Sequence, residues 1–252
     1  MSVSIKNMVL GEGQTKICVP IIGRTKEEIL AEATSISSIE ADIVEWRVDF
    51  YEDVMSTSKV LELIISLNDV LKDKPILFTF RTKAEGGELD ISEELYTELI
   101  KAVIKQNIAG AVDVELFKGE NTLEDIATYA KDFDVKVVAS NHDFTKTPDK
   151  EEIKRRLVLM NKKGAHISKM AVMPQSALDV LTLLSATEEL HREYENMTII
   201  TMSMGQLGVV SRLSGGVFGT AMTFGARNSE AASAPGQVEV GKLKDILKTI
   251  EK

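Results

Sequence analysis

The stretch HISKMAVMPQ, residues 166–175, holds an apolar run, Ile167 with Met170 to Met173, closed by Pro174. The run is too short for a helix and has no clean polar alternation. It reads as a strand buried on both faces, the kind a parallel sheet covers with helices. Lys169 sits in its middle. A buried ammonium is costly unless it is paired or loses its proton, so this lysine needs a reason.

Outward from this strand, the chain alternates between short β-rich runs and longer amphipathic stretches. Strands are expected at Lys16–Ile22, Asp42–Val48, Pro75–Arg81, Ala111–Leu116, Val135–Ser140, His166–Met173, Thr198–Met204 and Val217–Phe224. Helices are expected between them. Thr25 with Glu28 three residues on makes a capping box for TKEEILAEATSIS. Ser92, followed by Glu93 and Glu94, opens ISEELYTELIKAVIKQN. TPDKEEIKRRLVLMNKKG starts at Thr147-Pro148, carries acids early and bases late, and stops at Gly164. Ser176 opens a further helix, and VEVGKLKDILKTIEK closes the chain. Eight such units in about 250 residues match the size of a single-domain α/β protein closed as a (β/α)8 barrel, the TIM barrel, over residues 1–252. An open doubly wound sheet would announce a phosphate loop after its first strand. Here that strand ends PIIGRTKEE, with one glycine.

Composition excludes several classes. The chain has 252 residues, 44% hydrophobic and 27% charged, enough for a sizeable core. The net charge of −9 and the lack of aromatic-interleaved basic runs argue against a nucleic-acid partner. No apolar stretch reaches the roughly 18 residues of a membrane span, and the N-terminus lacks the pattern of a signal peptide. The one cysteine, Cys18, sits in an apolar run. It reads as an inert buried thiol in a reducing cytoplasm.

Polar residues recur on one parity of the expected strands. They are Glu45 with Arg47, Thr79 with Arg81, Asp113 with Glu115, Ser140 with His142, Lys169, and Thr201 with Ser203. Residues two apart on a strand point the same way. The set also leans toward the strands' C-terminal ends, where barrel active sites are built. Glu45–Arg47 or Arg81–Glu85 alone would pass for structural ion pairs, but buried ion pairs stabilise weakly and so many of them call for a role. A Lys169 desolvated among cations, with Arg47 and Arg81 as candidate neighbours, would attack a carbonyl as the neutral amine. His142, one of three histidines, suits a general acid/base, with Asp113 and Glu85 available to orient it. His166 and His191 read as structural. No histidine pair or cysteine cluster has metal-ligand spacing, so no metal is expected.

DIVEWRVDF, FTFRTKAEGGE, DVELF, SNHDF, KMAVMPQ, GVVSRLSGGVFGTAMTFG and SAPGQ, in that order, together resemble the type I 3-dehydroquinate dehydratases. The resemblance implies a cofactor-free, usually dimeric barrel of the shikimate pathway. Such an enzyme turns 3-dehydroquinate into 3-dehydroshikimate by syn loss of water through a Schiff base. Carried over, Lys169 matches the imine-forming lysine and His142 the general acid/base. Glu85 matches that histidine's carboxylate partner, with Asp113 a second support. Glu45, Arg47 and Arg81 match ring-hydroxyl and pocket contacts. Arg212 matches the clamp on the substrate carboxylate, and Ser233 and Gln237 match contacts of a closing loop.

Two expectations test the match. Arg212 follows the seventh strand, where a regular helix would carry it away from the barrel mouth unless the nearby glycines fold the segment back. Residues 225–235, rich in Gly, Ala and Ser, are expected to form a lid hinged at Pro235-Gly236. Two other functions fit a barrel. A Schiff-base aldolase should show phosphate loops after strands seven and eight, whereas SGGVFG precedes strand eight. A non-catalytic barrel binding a small hydroxy acid would form no adduct with borohydride.

Overall fold

The structure is a computed structural model that describes residues 2–227 and 236–251. The chain opens with a hairpin, β1 (Val3–Ile5) and β2 (Met8–Leu10), turned at Lys6 with a φ of 50°. Then come β3 (Lys16–Ile21), α1 (Lys26–Ser37), β4 (Ile43–Arg47), α2 (Thr57–Leu71), β5 (Ile76–Thr79), α3 (Glu93–Gln106), β6 (Ala111–Glu115) and α4 (Thr122–Ala130). β7 (Lys136–Asp143), α5 (Lys150–Lys162), β8 (Ile167–Val172), α6 (Ala177–Glu193), β9 (Thr198–Ser203), α7 (Gly205–Ser214), β10 (Met222–Ala226), β11 (Val238–Glu239) and α8 (Val240–Ile250) follow.

The strands from β3 to β9 pair parallel in chain order, with β10 on the other side of β3. The Ala221 N–H donates to the Ile199 carbonyl at 2.8 Å and draws the β10 edge to β9, which curls the sheet into a (β/α)8 barrel. Among the described residues no helix is long and apolar enough to cross a membrane.

Local sequence sets the helix starts. Thr25 and Glu28 form the expected reciprocal capping box, and Ser176 forms a second one with Asp179. Ser92 caps α3 through the Leu95 N–H. For α5 the cap is Asp149, two residues past the Thr147 start, because its carboxylate accepts the Glu152 N–H at 2.8 Å.

Each barrel strand is buried on both sides, but against different neighbours. One parity packs on the helices. Trp46, for instance, meets Phe78 edge to face at 5.7 Å between ring centroids. The other parity fills the interior. Its lower end is apolar: Cys18, Ile43, Leu77, Ala111, Val138 and Ile167. Val3, Ile5, Met8 and Leu10 of the hairpin join that cluster, so β1 and β2 plug the N-terminal end of the barrel. Full burial of each such side chain contributes about 1.5–3 kcal/mol. Two residues on from these floor residues, five strands turn polar, and the site begins.

Two expectations need correction. The last barrel strand is Met222–Ala226, not Val217–Phe224. Residues Gly215–Phe218 instead form a 3-10 turn ended by Gly219, whose φ of +102° breaks any strand there. On β9, Thr201 and Ser203 do not face the interior. The Thr201 hydroxyl bonds that of Thr187 on α6 at 2.7 Å; the Ser203 backbone N–H donates to the Ser211 hydroxyl of α7 at 2.8 Å, and the Ser203 Cβ lies against Gly208 of the same helix. Ile200 and Met202 occupy the inward positions.

Candidate active site

At the C-terminal ends of the strands lies a cavity of about 270 Å³. Its charged wall comes from β4 to β8 and the loops after them: Glu45, Arg47, Arg81, Glu85, His142 and Lys169. Its apolar wall comes from Met202 and Met204 at the end of β9 and Phe224 of β10. Arg212 and Gln237 complete the rim. Ser233 lies outside the described residues, as do positions 228–235 of the expected lid.

Lys169 is 3% exposed. Its Nζ lies 3.5 Å from Asp113 Oδ2 and 3.6 Å from Glu45 Oε1, and 4.6 Å from the centre of the Phe224 ring. The ion-pair partners of the lysine are thus carboxylates, whereas the sequence suggested guanidinium neighbours. Both guanidinium groups are taken up elsewhere. Arg47 donates from Nε and Nη2 to the two oxygens of Asp49, each at 2.8 Å. Arg81 donates to Asp113 at 2.7 Å, Glu115 at 3.0 Å and the Ser140 hydroxyl at 2.9 Å. Burial opposes the charge of Asp113, but Arg81, Lys169 and the Ser140 hydroxyl outweigh it and hold its carboxyl below the usual range. Glu45, in turn, accepts from the Thr79 hydroxyl at 3.0 Å.

His142 stands in the last turn of β7, which runs three residues past its expected end. Its Nδ1 lies 2.9 Å from Glu85 Oε2, and the same oxygen accepts the His142 backbone N–H at 2.9 Å. Glu85 Oε1 accepts the Asn141 amide at 3.0 Å. A carboxylate ringed by donors acts as an acceptor, which assigns the imidazole proton to Nδ1 and leaves the Nε2 lone pair for the cavity. Burial, with Arg81, Lys169 and Arg47 nearby, keeps the imidazole pKa well below its ordinary value. Burial also pushes the Glu85 carboxyl up to about 7 despite the adjacent Arg81. Asp113, considered as a second support for the histidine, engages Lys169, Arg81 and Ser140 instead.

Glycines place Glu85. The 3-10 turn Lys83–Glu85 ends at Gly86, with a φ of +83°. A Cβ at Gly87 would fall 1.9 Å from the Arg81 carbonyl oxygen. The GG pair therefore folds the turn tightly back over the end of β5.

Arg212 is 1% exposed and lies on the inward side of α7. The helix does not carry it away, as a regular helix was expected to do. Gly208, one turn earlier, packs so closely on the end of β9 that a Cβ would meet the Ser203 carbonyl oxygen at 2.2 Å. The helix lies flush against the barrel there, and Arg212 at i+4 faces the same way. Its Nη1 sits 3.5 Å from Met202 Sδ, and burial lowers its pKa to about 10.

The sequence pattern did not single out Asp49, Asn141, Met202, Met204 or Phe224. Asp49 was legible in principle, two residues after Arg47 in RVDF. A carboxylate there neutralises a guanidinium that otherwise has only donors to bury.

The cavity thus brings together a buried amine, an imidazole whose second ring nitrogen faces the cavity, and the Arg212 guanidinium at the rim. Comparison with known proteins shows the family. The type I 3-dehydroquinase family profile matches residues 17–252. The 3-dehydroquinate dehydratase of Clostridium novyi is 48% identical over 99% of this chain and 98% of its own length. That of Listeria welshimeri is 50% identical, over 99% and 98%. The crystal structure of type I 3-dehydroquinate dehydratase from Clostridium difficile, with covalently modified comenic acid, superimposes with a TM-score of 0.95 at 46% identity, covering 100% of this chain and 98% of that one. The chain belongs to the type I 3-dehydroquinase family, whose members are hydro-lyases.

Proposed function

We propose that this hydro-lyase converts 3-dehydroquinate to 3-dehydroshikimate through an imine on Lys169, with His142 as the general acid/base. The observation that supports it most is the pairing of Lys169 Nζ with Asp113 and Glu45 at the wall of the cavity that also holds His142. The amine adds to the substrate ketone and water leaves, giving an iminium. The two carboxylates, which face an ammonium before the reaction, then face a positive nitrogen at the same place. That arrangement stabilises the charge without reorganisation. The iminium acidifies the neighbouring carbon, because an enamine can store the electron pair.

His142 Nε2 takes that proton. The electron pair is held in the enamine and returns to form the ring double bond as the hydroxyl on the carboxylate-bearing carbon leaves as water with the proton His142 returns, which regenerates the iminium. One base serving one face suits a syn elimination. Glu85 holds the Nδ1–H and so keeps the Nε2 lone pair turned to the cavity. Hydrolysis of the imine frees Lys169. Arg212 is read as the fork on the substrate carboxylate. Glu45, Arg47 and Arg81 are read as contacts for the ring hydroxyls, and Ser233 and Gln237 as contacts that close the site. A relative 46% identical that is described with covalently modified comenic acid supports a site suited to covalent chemistry.

The direct test is turnover of 3-dehydroquinate followed at the absorbance of the conjugated product. No absorbance change with pure protein would reject the reading. Arg212→Ala, which deletes a charge-assisted bond worth about 1.5–3 kcal/mol, is expected to raise the Michaelis constant at least tenfold. An unchanged constant would remove Arg212 from the carboxylate site.

A cytoplasmic homodimer is part of the same reading. Leu178 and Leu181 of α6 and Leu207 and Val210 of α7 are each at least half exposed on adjoining helices, an apolar face that suits a second copy. Light scattering is expected to return twice the chain mass, and a monomer would contradict the assignment.

A further inference from the structure

We propose that Asn141 and Arg156 form a positioning relay that runs from helix α5 through Glu85 to His142 and sets the protonation state in which His142 acts. The proposal rests on the reading of His142 as the general acid/base.

Asn141 has the opposite parity to His142 on β7 and is 5% exposed. Neither Asn141 nor Arg156 lines the catalytic cavity. The Asn141 Nδ2 donates to Glu85 Oε1 at 3.0 Å, and its Oδ1 accepts from Arg156 Nη1 at 2.9 Å. A guanidinium has only donors and a carboxylate only acceptors, so both ends of the amide demand the same orientation. The amide cannot flip while both partners stay. Arg156 is itself anchored. Its Nε donates to Glu152 at 2.6 Å, and its guanidinium lies 5.6 Å from the centre of the Phe117 ring. The chain of contacts therefore runs Glu152, Arg156, Asn141, Glu85, His142, and it crosses from the helix layer into the mouth of the barrel.

The relay matters because Glu85 is a poised acid. The charged and titratable groups that face it are Arg81 at the end of β5, Asp113 and Glu115 on β6, and His142 on β7. Burial and the two β6 carboxylates favour its protonated form, while Arg81 and the Asn141 amide favour the ionised form. Only the ionised form accepts the His142 Nδ1–H without competing for that proton. Removing the Asn141 donor should therefore raise the pH at which Glu85 ionises, and the active form should disappear at a higher pH than in the wild type. A protein whose helix α5 merely needed an ion pair would show no such shift.

The test is the pH dependence of kcat and kcat/KM for Arg156→Met, Arg156→Lys and Asn141→Leu, with thermal melts as a control for folding. Arg156→Met keeps the aliphatic stem but frees the amide to flip. Its acid limb should move to higher pH, with kcat reduced and KM unchanged. Arg156→Lys restores a donor to Oδ1 and should recover much of the wild-type profile. Asn141→Leu should show the largest shift, about one pH unit, the scale of a hydrogen bond to a charged group. A wild-type acid limb in a folded Arg156→Met, or a loss confined to KM and thermal stability, would overturn the relay. His142→Ala separates this outcome from failure of the underlying reading. If that variant is impaired while Arg156→Met is normal, the base stands and the relay falls. If His142→Ala is itself normal, the base assignment falls.

Discussion

Lys169→Met is expected to abolish turnover and borohydride trapping together while leaving the barrel folded. Met fills nearly the same volume and carries no charge into the interior. The two carboxylates it leaves behind keep other partners. Asp113 retains Arg81 and Ser140, and Glu45 retains the Thr79 hydroxyl. The loss of one ion-pair partner should therefore cost about 3 kcal/mol or less, below the roughly 5–15 kcal/mol that hold a domain of this kind together. A cooperative thermal melt at a modestly lower temperature, with no detectable product, is the expected pair of results. Measurable turnover in the folded variant would show that the chemistry needs no amine at this position.

His142→Ala should separate the covalent step from proton transfer. The amine is intact, so substrate should still be trapped on Lys169 by borohydride. Turnover should fall by about two to four orders of magnitude, the usual scale for a positioned acid/base. Glu85 loses the imidazole but keeps the backbone N–H of residue 142 and the Asn141 amide, so the turn that carries it should stay in place. Trapping and turnover lost in equal measure would mean that the histidine serves imine formation instead. Turnover near the wild-type rate would mean that another group is the base.

Much of this site was legible because a strand's period of two is strict. Glu45, Thr79, Asp113, Ser140 and Lys169 each stand two residues beyond an apolar floor residue of the same strand: Ile43, Leu77, Ala111, Val138 and Ile167. No other local structure gives five strands the same change from apolar to polar at the same height. Caps were legible for a similar reason, since Thr25, Ser92 and Ser176 bond to N–H groups only three residues away.

What the sequence concealed depended on distance or on local self-satisfaction. Thr201 and Ser203 looked like polar residues of a sixth strand facing the interior, but they pack toward helices α6 and α7, so polarity did not report direction. Arg212 depended on Gly208, whose missing Cβ lets α7 lie flush on β9, a packing fact with no local signature. The hairpin at the N-terminus seals the barrel floor through contacts with strands up to residue 167, and alternation in only three residues per strand is too short to announce it. Carboxylates around Lys169 come from β4 and β6, which places them beside it only once the barrel closes.

An imine between Lys169 and the substrate ketone can be caught by reducing the wild-type protein with borohydride during turnover and measuring the mass of the intact chain and of its peptides. One adduct per chain is expected, of the mass of the ligand less one water plus two hydrogens, on the peptide that contains Lys169. An adduct on any other lysine, or none under conditions where product forms, would contradict it.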